Sequence, residues 1–294
     1  MRFIGIDIHR DFCEVAIAEG GQVRSAGRIA SEESELELFA GSLGAEDRVA
    51  MEVSGNASAI ARIIEPHVDA VLMVDPRAVR ERIGNGPKTD RLDAKALARM
   101  LAGGALAPIW VPDEKTRVRR RLISRRAQLV RHRTREKNQV HAVLVRNLKG
   151  KPPMTDAFGV AGRKWLAGQQ LPPDEAETVD ACLRQVDFLD GEIKLIEQRI
   201  AEQVVGSEEI KRLMGLPGFG MVAATALMAA IGDVSRFPAP ATWSATWAST
   251  PRSCSRAPNP PDTGGSKLEK ELARQAEVAY RRLVADWQPA GARS

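Results

Sequence analysis

Two hydrophobic rhythms divide the chain. Arg2-Phe3-Ile4-Gly5-Ile6-Asp7-Ile8 passes from alternating to continuous apolar character and predicts a buried strand almost at the first residue. Phe12 to Ala18 reads as its hairpin partner, and Gln22 to Ile29 as a third strand. Ser31-Glu32-Glu33-Ser34 has the look of a capping box opening a helix. Arg48 to Val53 is a short apolar strand, Ala57 to Ile64 a short helix, and Asp69 to Val74 a fifth strand. Pro76 turns the chain into a helix over 77–83. Gly86-Pro87 stops it, and Thr89 offers an N-cap to a run of strong helix formers from Asp90. The first 110 residues are therefore α/β.

Beyond residue 111 the period changes to that of helices. Val118, Leu122, Leu129, Val140 and Leu144 keep one apolar face over 115–146, and Lys149-Gly150-Lys151-Pro152-Pro153 breaks that helix. A linker with a helical piece around Trp165 follows. Val179, Cys182, Val186, Leu189, Ile193, Ile196 and Ile200 then form a 3-4 seam. That seam suits an intramolecular antiparallel hairpin or a dimerising coiled coil, the latter making 179–200 a homo-oligomer contact. Past Pro240 neither period persists. The organisation expected is an α/β domain over 1–110, a basic helical and coiled-coil region over 111–207, a small helical element over 208–240, and a distinct tail over 241–294.

Composition narrows the class. Cys13, Cys182 and Cys254 show no paired spacing, so neither a disulfide framework nor a zinc site is indicated. The N-terminus enters a strand directly, and the longest apolar run, Met221 to Ile231, is too short to span a bilayer. A soluble cytoplasmic protein with no membrane partner is expected. Net charge is +5, but residues 115–151 hold fourteen Lys and Arg against Glu136 alone, leaving the remainder acidic. A solvated helix face mixes both signs; this one has the footprint of a polyanion binder. Arg119, Arg120, Arg121, Arg125, Arg126, Arg131 and Arg133 are the candidate phosphate contacts. Trp and Phe are absent from the helix, which disfavours a membrane surface.

Four carboxylates carry the chemistry. Asp7 lies inside a buried strand, where a charge is costly unless paired or metal-bound, and Glu52 is embedded near the end of another. Asp90 and Asp93 share a helix face one turn apart, which by itself would suit a dipole-stabilised surface helix. Together the four suit divalent cations that clamp the oxygens of a phosphoryl transfer. His9-Arg10-Asp11 occupies the turn after the first strand, where a nucleotide-binding protein would carry glycines. Leu213 to Ala224 resembles a helix-hairpin-helix, in which Gly218 and Gly220 would let backbone amides approach a phosphate; an ordinary interhelical turn fits equally.

Gly-Ile-Asp near the start, Met51-Glu52-Val53-Ser54-Gly55, Val74-Asp75-Pro76-Arg77, Lys88-Thr89-Asp90-Arg91-Leu92-Asp93-Ala94 and Gly232-Asp233-Val234-Ser235-Arg236-Phe237 together resemble the IS110 family of transposases. The resemblance covers residues 1 to about 240. It implies a ribonuclease-H-like (RuvC-like) N-terminal domain, a topology that actin-like ATPase halves share, with Asp7, Glu52, Asp90 and Asp93 as the catalytic, Mg2+-binding tetrad. Lys88 joins the basic helix and the two glycines as a nucleic-acid contact. The implied activity is metal-dependent DNA cleavage and recombination in transposition, with DNA and an element-encoded guide RNA as partners. A RuvC-like junction nuclease is a rival reading.

After Pro240 the expected family words, including the Q-S-G serine proposed as nucleophile, are absent. Joining the third base of each codon to the first two of the next allows 241–251 to encode H-L-V-G-Y-L-G-L-D-P. Residues 254–257 likewise can encode Q-S-G, and 261–266 R-H-G-R-I. A single-base deletion near codons 240–241 accounts for all three. Ser255 is then not the family's serine, the tail lacks a core apart from an accidental helix over 267–287, and the chain is expected to be catalytically incomplete. A non-catalytic nucleic-acid-binding remnant is the alternative from another class.

Overall fold

A computed structural model describes residues 1–83 and 89–236 of the chain. The expected tail over 241–294, its helix over 267–287, Cys254 and Lys88 lie outside the described residues. Two compact units are present, Met1–Val111 and the chain from Pro112 onward.

The first unit is built on a five-stranded sheet in the order β3-β2-β1-β4-β5. Strands β1 (Phe3–Ile8), β2 (Phe12–Glu19) and β3 (Gln22–Ala30) are antiparallel neighbours, while β4 (Arg48–Glu52) and β5 (Ala70–Val74) run parallel to β1. This mixed order is the one a ribonuclease-H-like sheet requires. Alternation along β1 explains its layers. Ile4 and Ile6 point to one face, where Val15, Met51, Leu36, Ile60 and Ile64 form the main core with helices α1 (Glu33–Gly41) and α2 (Ala57–Ile64). Phe3 lies on the other face, where Ala16 and Ala18 of β2 meet Ala94 and Ala98 of α4 (Asp90–Ala102). Helix α3 (Pro76–Ile83) adds Val79, which packs with Val74 and Leu97.

The small residues on this second face set how close α4 comes. A Cβ built on Gly5 would collide with the Ala94 carbonyl oxygen and stand 2.5 Å from the Ala98 nitrogen. Any side chain at Gly5 would push α4 off the sheet.

The capping box expected at Ser31 does not form. Helix α1 takes Glu32 as N-cap with no side-chain hydrogen bond, and the Ser31 hydroxyl instead donates to the His9 carbonyl at 3.2 Å. The loop from β3 passes the end of the β1–β2 hairpin, where the His9 carbonyl, which also accepts from Asn56 Nδ2, takes the hydroxyl.

At the N-terminus, the Arg2 amide and guanidinium both bond the carboxylate of Asp47, which is almost fully buried and also accepts from the Gly44 amide at 2.7 Å. Burial alone would raise the Asp47 carboxyl, but the Arg2 and Gly44 hydrogen bonds and the Arg2 charge hold it below the ordinary range.

The second unit centres on two long helices, α5 (Glu114–Arg146) and α7 (Pro173–Val205). Ion pairs Arg126–Glu197, Arg133–Asp190 and Arg146–Glu175 step up α5 as they step down α7, so the two are antiparallel. The 3-4 seam is buried within the chain: Val179 and Cys182 pack on Val140, Val143 and Leu144, and Leu189 and Ile193 on Leu129. Helix α6 (Val160–Ala167) adds Leu166 to the first of these clusters. Of the two uses the seam suits, the hairpin is therefore the one that occupies it. The apolar side chains of that face cover α5.

Helices α8 (Glu208–Met214) and α9 (Met221–Ile231) pack through Ile210, Leu213, Leu227, Met228 and Ile231. Side-chain caps begin three of these helices. Asp113 accepts from the Thr116 amide at 2.9 Å for α5, Ser207 from Ile210 for α8, and Thr89 from Leu92 for α4. No helix among the described residues is long and apolar enough to cross a membrane.

Candidate metal centre and basic helix

Strand register brings the first two carboxylates side by side. Gly5 pairs with Ala50 and Ile6 with Met51 in the parallel ladder, so Asp7 and Glu52 occupy the next positions at the ends of β1 and β4. Ile6 and Met51 both face the main core, and Asp7 and Glu52 therefore face the α4 side. Thr89 starts α4 above them, and Asp90 and Asp93 sit in its first turn, where the helix dipole favours negative charge.

The tightest convergence includes a residue that is not one of the four carboxylates. His9 Nε2 lies 3.2 Å from Asp7 Oδ2 and 3.4 Å from Asp90 Oδ1, and ligand atoms of all three lie within 4.8 Å of one another. Asp93 is near enough for its charge to act on Asp7, while Glu52 adjoins Asp7 through register. Neither joins the 4.8 Å group. Burial pushes the Asp7 carboxyl above the ordinary range; the neighbouring charges of Asp93 and Asp90 push the same way, and His9 opposes them. Lys88, a further expected nucleic-acid contact, lies outside the described residues.

Two further side chains frame the cluster. Glu14 faces Asp7 across the β1–β2 ladder, is buried, and is held by Arg28 Nε at 2.8 Å. The Arg28 guanidinium stacks on the Phe12 ring at 4.2 Å and comes within 3.7 Å of Asp90 Oδ2. A buried acid and a basic partner on alternating positions of a hairpin leave only a faint sequence signal. His9 leaves a clearer one, an imidazole two residues after a strand-end aspartate.

The donor set fits a divalent cation. Asp7 and Asp90 provide hard oxygens, and a dication would compensate both the burial of the Asp7 carboxylate, which is the main cause of its raised carboxyl, and the smaller repulsion from Asp93 and Asp90.

Within the second unit, the arginines of α5 divide by role. Arg120 donates to the carbonyls of Ala229 and Ala230 at 2.7 and 3.3 Å, satisfying the C-terminal end of α9. Arg126 and Arg133 bond Glu197 and Asp190 of α7, and Arg121 bonds Glu114 on its own helix. Arg119 turns inward: its Nε is buried without a hydrogen bond beside a cavity of about 380 Å³ that Thr116, Glu209 and Arg212 also line. Arg125 and Arg131 are exposed and make no ion pair among the described residues, as is Arg135. The seven candidate contacts thus do not form one uniform face. In the α8–α9 turn, Gly218 has φ of +87°, which favours glycine, and Gly220 caps α9 without a side-chain bond.

Comparison with known proteins gives one answer. Residues 4–147 match the IS110-type DEDD family, described as transposase, and residues 210–255 match the transposase IS116/IS110/IS902 family. The second match carries the likeness past residue 240, where the motif words give out. The Sinorhizobium fredii (strain NBRC 101917 / NGR234) protein y4qE, which bears a transposase name, is 26% identical over 250 residues, covering 81% of this chain and 60% of its own. The transposase for insertion sequence element IS1328 of Yersinia enterocolitica is 26% identical over 240 residues, covering 80% of this chain and 68% of its own. This chain thus spans about three fifths of y4qE. The two family matches, one over the acid-bearing unit and one over the α8–α9 region, agree: the chain belongs to the IS110 family of transposases.

Proposed function

We propose that the chain acts on DNA as an IS110-type transposase in which the first unit is a metal-dependent phosphodiester site and the second a nucleic-acid-holding bundle. The observation that carries this reading is the placement of Asp7 and Glu52 at adjacent strand ends beneath the first turn of α4, with Asp90 and Asp93 in that turn. Asp7, Glu52, Asp90 and Asp93 would hold the cation, with Mg2+ the physiological choice. A bound dication would neutralise charge developing on phosphodiester oxygens. The protein side chains do the rest. Arg28 holds Glu14 and sets a positive charge beside Asp90, and the exposed arginines of α5 hold phosphates.

We propose also that an element-encoded RNA guides recombination and that the chain self-associates, which the family resemblance supports. With the seam occupied, a dimer through α7 would use its outward face, where Phe188 and Leu195 are exposed. We further propose that this chain binds DNA and cation but does not recombine DNA, because the serine word is recovered only by shifting the frame after codon 240.

The test compares the chain with a version carrying one added base near codon 241. With Mg2+ and element DNA, the given chain should bind DNA without forming a covalent adduct, and the frame-restored chain should cleave. An adduct on the given chain would overturn the proposed loss of activity. A frame-restored chain unaffected by Asp7→Asn would overturn the metal-site reading.

A further inference from the structure

We propose that His9 is a direct nitrogen ligand of the cation at the Asp7–Asp90 cluster, making this a mixed carboxylate–imidazole centre. The assignment rests on the metal-site reading above.

His9 is held more firmly than a turn residue needs to be. Its amide donates to the Phe12 carbonyl at 2.9 Å, closing the hairpin between β1 and β2. Its carbonyl accepts from the Ser31 hydroxyl at 3.2 Å and from Asn56 Nδ2 at 3.1 Å. Both partners have side chains suited to capping helices, and Asn56 occupies the N-cap position of α2, yet neither side chain makes a cap bond to α1 or α2. Asn56 is in turn oriented by the Ser54 hydroxyl, which donates to its Oδ1 at 3.0 Å. Three separate segments, one of them directly after Glu52, thus converge on the backbone of one residue.

The ring is fixed as well. It stacks against Phe12 at 4.7 Å between centroids, and Phe12 is itself covered by Arg28. Backbone and ring tethers together aim Nε2 at the gap between Asp7 and Asp90. Such support is what a ligand needs to bind without paying for its own ordering. An imidazole also changes which ions the centre prefers. Nitrogen donors favour Mn2+ and later transition ions over Mg2+, relative to an all-oxygen set.

The test uses the full chain and Mn2+ alone, with binding read from the loss of the free Mn2+ resonance and nitrogen coordination from pulsed resonance coupling. Wild type should bind Mn2+ with an imidazole nitrogen coupling. His9→Ala and His9→Asn should abolish that coupling and weaken Mn2+ by about tenfold or more, while Mg2+ affinity changes less. His9→Asn keeps a hydrogen-bond donor for Asp7, and the coupling in wild type needs no variant to fold. Mn2+ that binds wild type and is lost in Asp7→Asn, but shows no nitrogen coupling or is unaffected by both His9 variants, overturns the His9 assignment and leaves the carboxylate site standing. A wild-type chain that binds no Mn2+ overturns both.

Discussion

Gly5 of β1 lies directly beneath Ala94 of α4, so close that the Ala94 carbonyl oxygen fills the space a Cβ would take. This contact, two residues before Asp7 and one helical turn after Asp90, sets the height of the helical carboxylates above the strand carboxylates. Gly5→Ala should cost about 1–3 kcal/mol through overpacking and should weaken divalent-ion binding in the same variant. Gly55→Ala, at an exposed glycine with nothing within 4 Å, is the control and should leave the melting temperature unchanged. Equal effects from both would show that α4 does not rest on Gly5.

Asp7→Asn should separate stability from binding. Removing a buried charge that is also crowded by Asp93 and Asp90 should raise the melting temperature in a chelator, because the cost of burying the charge disappears and the smaller repulsion goes with it. The same variant should lose the stabilisation that a millimolar divalent ion gives wild type, which grows as RT ln(1 + [L]/Kd). Thermal melts with and without Mg2+ check both directions. A variant still stabilised by Mg2+ as wild type is would remove Asp7 from the site.

The Arg2–Asp47 pair predicts a dependence on acid. The folded Asp47 carboxyl sits below its unfolded value, near 4. Its contribution is therefore fully present above that value and lost as pH falls through the lower folded one. Asp47→Asn should be destabilised by about 1–3 kcal/mol at neutral pH, and its gap to wild type should narrow towards pH 2. Denaturant melts at several pH values measure this. A constant gap would mean that shape rather than charge holds the N-terminus.

The basic helix should separate into binding and structural arginines. Replacing Arg125, Arg131 and Arg135 by Gln should flatten the log–log salt dependence of DNA binding by about one unit per lost phosphate contact, with little change in melting temperature. Replacing Arg126 and Arg133 should lower thermal stability and leave the salt slope nearly intact, since Glu197 and Asp190 already neutralise them. Arg120→Ala should cost about 1 kcal/mol by exposing the end of α9. Binding titrations at several salt concentrations, with melts alongside, distinguish these outcomes.

Much of the first unit was legible in order and type, because β1 to β5 and α2 to α4 announce themselves by period, proline and caps. Asp7 and Glu52 stood out for being charged within apolar runs. What was not legible depended on long-range contacts. Ser31 has the neighbours of a capping residue, and only the nearness of His9 redirects it. Local sequence says nothing of the distance from His9 to Asp90, eighty-one positions on. The arginines of α5 share one composition, and only the acids of α7 and the carbonyls of α9 reveal which are committed to the fold. The seam on α7 was plain, but periodicity carries no information about whether the covering helix belongs to the same chain.

The antiparallel pair also has a mechanical side. Each of its long helices has 33 residues, or roughly 50 Å at 1.5 Å per residue. Apolar side chains fasten them along the shared face, and the Arg126, Arg133 and Arg146 pairs act as cross-braces. Two braced rods resist bending far better than one. A push delivered at the Glu114 end is therefore carried to the Arg146 end as displacement instead of being absorbed as curvature, and whatever is seated along the strut travels with it.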